Sequence, residues 1–434
     1  MKYFKTVILG GGLSGLCSGF FSASLKKKNN DFIILEKENS AGGLCRSFNE
    51  NGFIFDYTGH LFHFSDKLTE KFFQDIQKKN INKLQRKAFI KILDGFIPYP
   101  FQLNLSYLPE DKRFDCLNSI LKKYNQNKVS RANYLKWMLS YYGNGICDNF
   151  MIPYNEKLWK TNLSKITTDW FSDYMPAPAI ESILNGALKK QNNYKGYNYN
   201  FYYPKKNGIG SLINGVYNII KDKVVLNSTI TGIDFKNKII SASTEKYKYE
   251  NLITTIPLPD FLKLCVNRGK FESLISKLDY VSIFNINYGI DSSVENKRHW
   301  IYFPEKKYDF YRAGFYHNFS RYSVPSPELH SSYVEISSKS GLDKFKTASY
   351  LNQIKKQFFD IGIYSRKDSK ICQQFLLDIK YGYVIFDKRR KKIMEILRNF
   401  YENNSIYPVG RYAEWNYSSM QNSIKSAFTT VSGL

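Results

Sequence analysis

Three glycines near the start of the sequence have the spacing of a turn that binds the pyrophosphate of a dinucleotide. Gly10, Gly12 and Gly15 form G-x-G-x-x-G between an apolar run at residues 7–9 and a helix-like segment at residues 16–25. In this pattern the first glycine permits a tight turn, the second lets the pyrophosphate approach the backbone, and the third lets the helix pack on the strand. The helix N-terminus then offers free N–H groups and partial positive charge to the phosphates.

An acidic residue and a second glycine pair follow this turn. Residues 32–35 are apolar and predict a second strand, and Glu36 after it is placed to accept hydrogen bonds from the adenosine ribose hydroxyls. Gly42, Gly43 and Leu44 come soon after. A glycine pair at this place is typical of flavoproteins with two dinucleotide-binding domains, where it brings the backbone close to FAD. The alternative is an ordinary glycine turn, and we favour the flavin interpretation at this position.

The first 24 residues also have features of a secretory signal peptide. Lys2 and Lys5 precede an apolar stretch, and small residues at 22–24 end it. However, a strand, a glycine turn, a helix, a second strand and an acidic residue follow each other in the order of a nucleotide-binding unit. We therefore favour nucleotide binding over a signal peptide.

Composition excludes several classes of protein. The chain has 434 residues, which predicts two or three domains, and it is 43% hydrophobic and 17% aromatic, so it is neither disordered nor fibrous. No run of about 18 apolar residues predicts a spanning helix, so we expect no integral membrane segment. The six cysteines lack paired spacing, which argues against a disulfide framework and favours the cytoplasm.

The chain is strongly basic, since 63 Lys and Arg against 38 Asp and Glu give a net charge of +25. Such a charge favours anionic partners. The basic residues are scattered, however, and form neither a stripe nor a tail. We expect mostly solvated lysines, no nucleic-acid partner, and at most a weak association with an anionic membrane surface.

The pattern along the chain predicts an α/β protein: a Rossmann-like FAD-binding domain with a helical insertion domain and an antiparallel β-sheet domain. Short apolar runs at 224–226, 230–233 and 252–255 predict strands that return to the nucleotide sheet, and residues 134–139 have helical spacing. Aromatic, β-rich runs at 281–288, 300–303 and 332–336 predict the antiparallel sheet. We assign residues 1–95, 205–270 and 400–434 to a discontinuous FAD-binding domain, 100–200 to a helical substrate or flap domain, and 271–399 to the sheet domain.

Six further motifs follow in order along nearly the whole chain. They are G-H-L-F at 59–62, P-Y-P-F-Q-L-N at 98–104, P-Y-N-E-K-L-W at 153–159, W-I-Y-F-P-E at 300–305, F-Y-R-A at 310–313 and G-R-Y-A-E-W-N-Y at 410–417. Each motif is modest, but the ordered set is specific. It resembles the UDP-galactopyranose mutase family, closest to the type first known from eukaryotes.

This resemblance implies an FAD enzyme that interconverts pyranose and furanose forms of UDP-galactose, or of a related nucleotide sugar, for surface polysaccharide synthesis. The flavin works reduced, with NADH or NADPH as the expected external reductant, and the net reaction is redox-neutral. In the family the flavin N5 attacks the anomeric carbon, the nucleoside diphosphate leaves, and the flavin–sugar adduct opens and recloses through another hydroxyl. The runner-up is an FAD-dependent amine or protoporphyrinogen-type oxidase, which predicts a hydrophobic substrate cavity.

The resemblance also assigns roles to individual residues. His60 lies beside the flavin, and Arg312 and Arg411 contact the diphosphate, because a guanidinium fork matches phosphate oxygens. The remaining substrate residues are Tyr99, Gln102, Asn155, Trp159, Asn198, Tyr302, Tyr383 and Tyr417. The remaining cofactor residues are Gly59, Gly410, Met420 and Gln421, where the N-terminus of the last helix faces the flavin.

Three positions depart from the family pattern, and two of them, Tyr174 and Phe319, remove a cation and a hydroxyl donor near the substrate, so the resemblance does not specify the sugar. Tyr174 stands where the family has a mobile-loop arginine, Phe319 where it has a tyrosine, and His63 where it has a phenylalanine. His60 and His63 also form H-x-x-H, but no further ligands complete a metal site, so we expect no metal. The sequence does not indicate the oligomeric state.

Overall fold

The computed structural model describes residues 1–25, 31–124, 129–171, 178–190, 199–243, 245–266 and 269–434. Its helices are α1 (Leu13–Ser24), α2 (Lys67–Gln77), α3 (Glu110–Tyr124), α4 (Tyr134–Ile146), α5 (Ile152–Trp159), α6 (Ile180–Leu188), α7 (Gly210–Ile220), α8 (Leu258–Leu264), α9 (Gly269–Ile275), α10 (Ala348–Phe359), α11 (Lys388–Asn403) and α12 (Met420–Gly433). Its strands are β1 (Lys2–Leu9), β2 (Phe32–Leu35), β3 (Ser47–Glu50), β4 (Phe53–Asp56), β5 (Ile81–Gln85), β6 (Ala88–Ile92), β7 (Gly95–Pro98), β8 (Asn200–Pro204), β9 (Val224–Val225), β10 (Ile230–Asp234), β11 (Ile239–Ala242), β12 (Lys246–Thr254), β13 (Tyr280–Ser292), β14 (Trp300–Tyr302), β15 (Arg312–Gly314), β16 (Leu329–Ser338), β17 (Ser369–Val384) and β18 (Ile406–Pro408).

The first sheet has the parallel core of a nucleotide-binding domain. Its order is β10-β11-β12-β1-β2-β9, and β18 also pairs with β12. β1, β2, β9, β12 and β18 run parallel, and the apolar runs in β1 and β2 are buried on both faces, as a covered parallel sheet requires. The helices α1 and α12 pack against each other beside it. The predicted α/β class with a Rossmann-like domain is confirmed.

The second sheet lies in the part of the chain that was predicted to be antiparallel. Its order is β17-β13-β16-β15-β14-β6-β7, and of the described strand pairs within this sheet only β14–β6 is parallel. The strands β6 and β7 reach this sheet from residues 88–98, and β6 lies inside the segment 1–95 that was predicted to belong to the FAD-binding domain. The predicted domain boundaries stay a prediction.

The helical region is built around close backbone contacts at two glycines of α4. A Cβ on Gly143 would lie 2.6 Å from the Ser119 carbonyl oxygen, and one on Gly145 would lie 2.6 Å from that of Asp115. Gly143 also has a φ of +72°, which kinks the helix. A π-helical turn at Cys147–Met151 then leads into α5. This path directs α5 toward the two sheets.

Helices α10 and α11 were not predicted inside the segment assigned to the sheet domain. α11 buries Ile393, Leu397 and Tyr401, which are spaced four residues apart and therefore share one helical face. No described helix is long and apolar enough to cross a membrane.

Two buried histidines make the sheet region sensitive to acid. The rings of His317 and His330 stack with centroids 4.4 Å apart, and burial lowers the pKa of His317 from 6.5 to about 3. Below pH 6.5 the unfolded chain gains a proton that the folded chain does not gain, so the stability from this group is lost as the pH falls.

We therefore expect the free energy of unfolding to fall between pH 7 and pH 5, by on the order of 2 kcal/mol for His317. Denaturant unfolding of the FAD-loaded protein and of His317→Gln at both pH values measures this. The variant should lose less stability on acidification, and equal losses in both proteins would contradict the prediction.

Candidate functional site

The first glycine turn is built for close backbone contact. Gly10 has a φ of +96°, and a Cβ on Gly15 would lie 1.9 Å from the Gly10 carbonyl oxygen. Helix α1 begins directly after Gly12, which as N-cap residue has no side chain to satisfy the first N–H groups. Those N–H groups and the helix dipole are therefore available to an anion.

The second glycine pair lies against the first turn. The Gly42 amide donates to the Gly11 carbonyl oxygen at 2.8 Å, and a Cβ on Gly43 would lie 3.2 Å from the Gly12 Cα. Glu36 is buried, and its carboxylate accepts from the amides of Gly11 at 2.6 Å and Glu38 at 2.9 Å. A carboxylate has about four acceptor sites, so Glu36 keeps capacity for ribose hydroxyls. The backbone-lined cradle fits a dinucleotide such as FAD.

The C-terminal segment completes this region. A Cβ on Gly410 would lie 1.9 Å from the Ser14 Oγ of α1, and Gly410 has a φ of +86°. Ser419 caps α12, and Met420 accepts a weak hydrogen bond from the Cys45 thiol at 3.8 Å. The Gln421 side-chain oxygen accepts a hydrogen bond from the Ser65 amide, and its side-chain nitrogen donates one to the Ser65 hydroxyl, both at 2.7 Å. These two bonds hold the segment around Ser65 against α12. Leu44 packs in a small apolar cluster with Tyr57.

The Gly410–Arg411 segment connects the cradle to a cavity of about 380 Å³, because Gly410 lies against Ser14 of α1 and the Arg411 guanidinium lies near the rings of the lining residues Tyr383 and Tyr417. The cavity is lined by nine of the residues predicted for the site: Gly59, Tyr99, Gln102, Asn155, Trp159, Tyr302, Arg312, Tyr383 and Tyr417. They come from α5, from the second sheet and from connecting segments, so motifs far apart in the sequence meet at one place.

Arg312 is held by a buried carboxylate that the sequence did not indicate. Its Nε donates to Glu335 at 2.9 Å and its second terminal nitrogen donates at 2.8 Å, in the bidentate geometry that suits guanidinium and carboxylate. Glu335 is fully buried, pairs with Arg312 in the β15–β16 register, and also accepts from the Tyr311 hydroxyl. The Arg312 side chain keeps 21% of its surface exposed, on the cavity side.

Tyrosines surround Arg312. Burial raises the pKa of Tyr302 and Tyr383, although the charge of Arg312 acts in the opposite direction. Their hydroxyls therefore stay protonated and can donate hydrogen bonds. Tyr383 and Tyr417 stack with centroids 6.1 Å apart, and Tyr154 of α5 lines the same cavity.

Arg411 is placed behind the cavity wall. It donates to the carbonyl oxygens of Ser418 at 3.2 Å and Gly382 at 3.0 Å, and its guanidinium lies 5.3 Å from the ring centroid of Tyr383 and 4.9 Å from that of Tyr417. Unlike Arg312, it is not a lining residue. Its predicted direct contact with a diphosphate stays a prediction.

His60 follows the lining residue Gly59. Burial, with smaller contributions from the charges of Arg411 and Arg312, lowers the pKa of His60 to about 4, so the imidazole is neutral at pH 7. Its buried Nδ1 has no hydrogen-bond partner among the described residues. Upstream, Asp56 anchors this segment by accepting from the Tyr203 hydroxyl at 2.6 Å.

The other end of the cavity combines aromatic rings with polar side chains. Tyr99 lies 5.1 Å from Tyr302, measured between ring centroids, and the Arg86 guanidinium lies 4.8 Å from the Tyr99 ring. Asn155 is held in place, because its side-chain oxygen accepts from Tyr134 and from Trp159, both at 3.1 Å. Gln102 is buried at the same end.

Sequence reasoning missed several lining or supporting residues. Glu335 and Tyr333 lie two positions apart on β16 and so share a face, a signal that is visible only once the strand register is known. Tyr154 lies inside the motif at 153–159, and Arg86 lies between the motifs at 59–62 and 98–104. The missed residues are Arg86, Tyr154, Tyr333 and Glu335.

The residues that differ from the family pattern lie in different parts of the structure. His63 lines the cavity, and its Nδ1 lies 3.0 Å from the Asn200 carbonyl oxygen. Phe319 is buried against Tyr203 at a centroid distance of 5.4 Å and is not a lining residue. Tyr174 and the predicted Asn198 lie outside the described residues. In the described ranges, no group of three His, Cys, Asp or Glu residues is arranged to hold a metal ion.

Comparison with known families and curated proteins identifies the N-terminal segment. Residues 8–76 match the NAD(P)-binding Rossmann-like domain family. The "uncharacterized protein in nifH2 3′ region" of Methanothermococcus thermolithotrophicus is 45% identical over 56 residues, which are 13% of this chain and 51% of that protein. The chain therefore spans about half the length of this curated relative.

Comparison with solved structures covers the whole chain. Reduced UDP-galactopyranose mutase superposes with a TM-score of 0.91 at 25% identity, over 99% of this chain and 94% of the other. The chain therefore has the same fold as UDP-galactopyranose mutase. A proposed protoporphyrinogen oxidase from Exiguobacterium sp. 255-15 superposes with a TM-score of 0.76 at 14% identity, over 100% of this chain and 98% of the other, which shows a shared fold.

These comparisons confirm the resemblance to UDP-galactopyranose mutase and place the chain in a flavoenzyme fold. That fold is shared with oxidases at low identity. The predicted eukaryotic-type branch stays a prediction.

Proposed function

We propose that the chain is a flavin-dependent nucleotide-sugar mutase that interconverts pyranose and furanose forms, with UDP-galactose or a related nucleotide sugar as substrate. The observation that carries the proposal is the Arg312 guanidinium, held by Glu335 and facing a cavity lined by tyrosines beside a dinucleotide cradle. The similarity to reduced UDP-galactopyranose mutase supports it. The proposal includes FAD as cofactor, NADH or NADPH as external reductant, a cytoplasmic location and a role in surface polysaccharide synthesis.

The cradle residues would hold FAD through backbone and carboxylate contacts. The N-terminus of α1 would take the pyrophosphate, Glu36 the ribose hydroxyls, and Gly42 and Gly43 the close backbone approach. When bound and reduced, FAD supplies the nucleophile for the anomeric carbon of the sugar. His60 stays neutral there, and its Nδ1, which has no hydrogen-bond partner among the residues that the structure describes, is available for a hydrogen bond in the loaded site.

The cavity residues stabilise a departing diphosphate. Negative charge grows on the diphosphate as its bond to the sugar breaks, and a fixed cation beside it lowers the barrier. Arg312 supplies that cation, and Glu335 fixes its orientation so that little reorganisation is needed. The hydroxyls of Tyr302 and Tyr383 stay protonated and serve as donors.

The same residues favour a mutase over an oxidase. An amine or porphyrinogen oxidase was predicted to need a hydrophobic cavity. Here Arg312, Arg86 and Gln102 line the cavity together with tyrosines. This polar lining suits a nucleotide sugar better than an apolar substrate.

The test is conversion of nucleotide sugars by the full-length, FAD-loaded protein. Dithionite-reduced protein should convert UDP-galactofuranose, or another UDP-, dTDP- or GDP-linked sugar, to its ring isomer, as measured by chromatography. Oxidised protein in the same buffer is the control and should convert none. No isomer from any of these sugars, or sustained peroxide formation with an organic amine, would contradict the proposal.

A further inference from the structure

Tyr333 occupies a notch left by two glycines. It lies on β16 opposite Gly314 of β15. A Cβ on Gly314 would lie 2.1 Å from the Tyr333 Cζ, and one on Gly59 would lie 2.1 Å from the Tyr333 Oη. A side chain at either glycine would therefore displace the ring, so the two glycines fix where this hydroxyl lies.

The hydroxyl of Tyr333 faces the cavity and has no hydrogen-bond partner among the residues that the structure describes. Tyr333 is a lining residue, and its side chain is 1% exposed. Among the described residues its hydroxyl makes no hydrogen bond, whereas the neighbouring Tyr316 hydroxyl donates to the Asp56 carbonyl oxygen at 2.9 Å. A buried hydroxyl without a partner is costly, and a ligand in the cavity would satisfy it.

Tyr333 also belongs to the charged group around Arg312. The charge of Arg312 acts on its hydroxyl, as do Glu335, Tyr302 and Tyr383. Because the hydroxyl touches Gly59, it lies between the segment that carries His60 and the cation that faces the cavity. In the proposed mutase this is where the sugar joins the diphosphate.

We propose that the Tyr333 hydroxyl donates a hydrogen bond to the diphosphate oxygen that leaves the anomeric carbon. This inference rests on the proposed function. The bond between the anomeric carbon and that oxygen breaks, and its electron pair stays on the oxygen. The pair that replaces it at carbon comes from the reduced cofactor. Tyr333 keeps its proton throughout, so the same hydrogen bond assists the return of the diphosphate.

Tyr333→Phe tests this with little change in packing. We expect the dithionite-reduced full-length variant to lose about 30-fold in kcat/KM, mostly in kcat, because the hydrogen bond strengthens as charge develops. UDP binding to the FAD-loaded protein, measured by calorimetry, should change less than threefold. FAD content and melting temperature should stay those of the unsubstituted protein.

Tyr288→Phe is the matched control. The Tyr288 hydroxyl is also buried and has no hydrogen-bond partner in the described part of the chain, but Tyr288 packs on Phe358 in another cluster and does not line the cavity. Its kcat/KM should stay within twofold.

Three outcomes would overturn the inference. The first is kcat/KM of Tyr333→Phe within threefold of the unsubstituted protein, which leaves the mutase function standing. The second is a loss of UDP affinity as large as the loss of turnover, which places the hydroxyl on the bound nucleotide instead. The third is an unsubstituted protein that binds UDP but converts no sugar, which overturns the proposed function as well.

Discussion

Arg312→Ala should lower kcat/KM by about 1,000-fold while FAD stays bound, since removal of one preorganised donor from a charge-stabilising site costs about that much. Arg312 is the guanidinium that faces the cavity and is fixed by two hydrogen bonds to Glu335. The diphosphate would lose both a charge and a pair of donors. Steady-state conversion by reduced protein measures the effect, and flavin absorbance reports the bound FAD.

The stability of this variant must be separated from its activity. Without Arg312 the buried Glu335 carboxylate has no cation, and breaking such a pair costs about 3–5 kcal/mol. The double variant Arg312→Met with Glu335→Gln removes both charges and should recover stability but no turnover. Arg312→Lys keeps the positive charge but not the paired donors of the guanidinium, and its kcat/KM should lie between those of Arg312→Ala and the unsubstituted protein. Retained turnover in Arg312→Ala, or loss of FAD from the folded variant, would show that Arg312 has another role.

Local sequence patterns were sufficient for the nucleotide sheet. The apolar runs before Gly10 and Glu36 are short, continuous and bounded by turn signals, and both form buried parallel strands. Their order along the chain already defines the β-turn-α-β unit. The structure extends β1 toward the N-terminus to Lys2, because residues 2–6 mix lysines with aromatic residues and do not form a continuous apolar run, and it leaves β2 at the predicted residues.

Long-range pairing could not be predicted in the same way. β6 joins the second sheet by pairing with β14, more than 200 residues later, and no local pattern reports such a partner. Helix α11 was not predicted, although Ile393, Leu397 and Tyr401 repeat at helical spacing. The aromatic, β-rich runs earlier in the segment 271–399 predicted strands, and the whole segment was assigned to the sheet domain.

In the candidate site, too, local motifs identified some residues and long-range strand pairing was needed for others. Lining residues such as Tyr302 and Asn155 came from ordered motifs. Glu335 and Tyr333 needed the β15–β16 register, which sets them opposite Arg312 and Gly314. Arg411 was assigned from its motif alone, and its hydrogen bonds to Gly382 and Ser418 appear only when the backbone is placed.

Gly15→Ala should abolish FAD binding. The new Cβ would lie 1.9 Å from the Gly10 carbonyl oxygen and 3.0 Å from the Gly10 carbonyl carbon, which are backbone atoms of the turn itself. No side chain can yield to it, so α1 must move away from β1 and the cradle must open. Such overpacking costs about 3 kcal/mol or more, and it also removes the aligned N–H groups. Flavin absorbance of the purified protein should fall below about a tenth of full occupancy.

Gly433→Ala is the matched control, because Gly433 also lies in a helix and a Cβ there would meet nothing within 4 Å. It should keep its FAD and its melting temperature, since alanine favours a helix by up to about 1 kcal/mol over glycine. The comparison separates a general effect of alanine in a helix from the contact between Gly15 and Gly10. Full FAD occupancy in folded Gly15→Ala would show that the turn tolerates a Cβ and that the cofactor is held elsewhere.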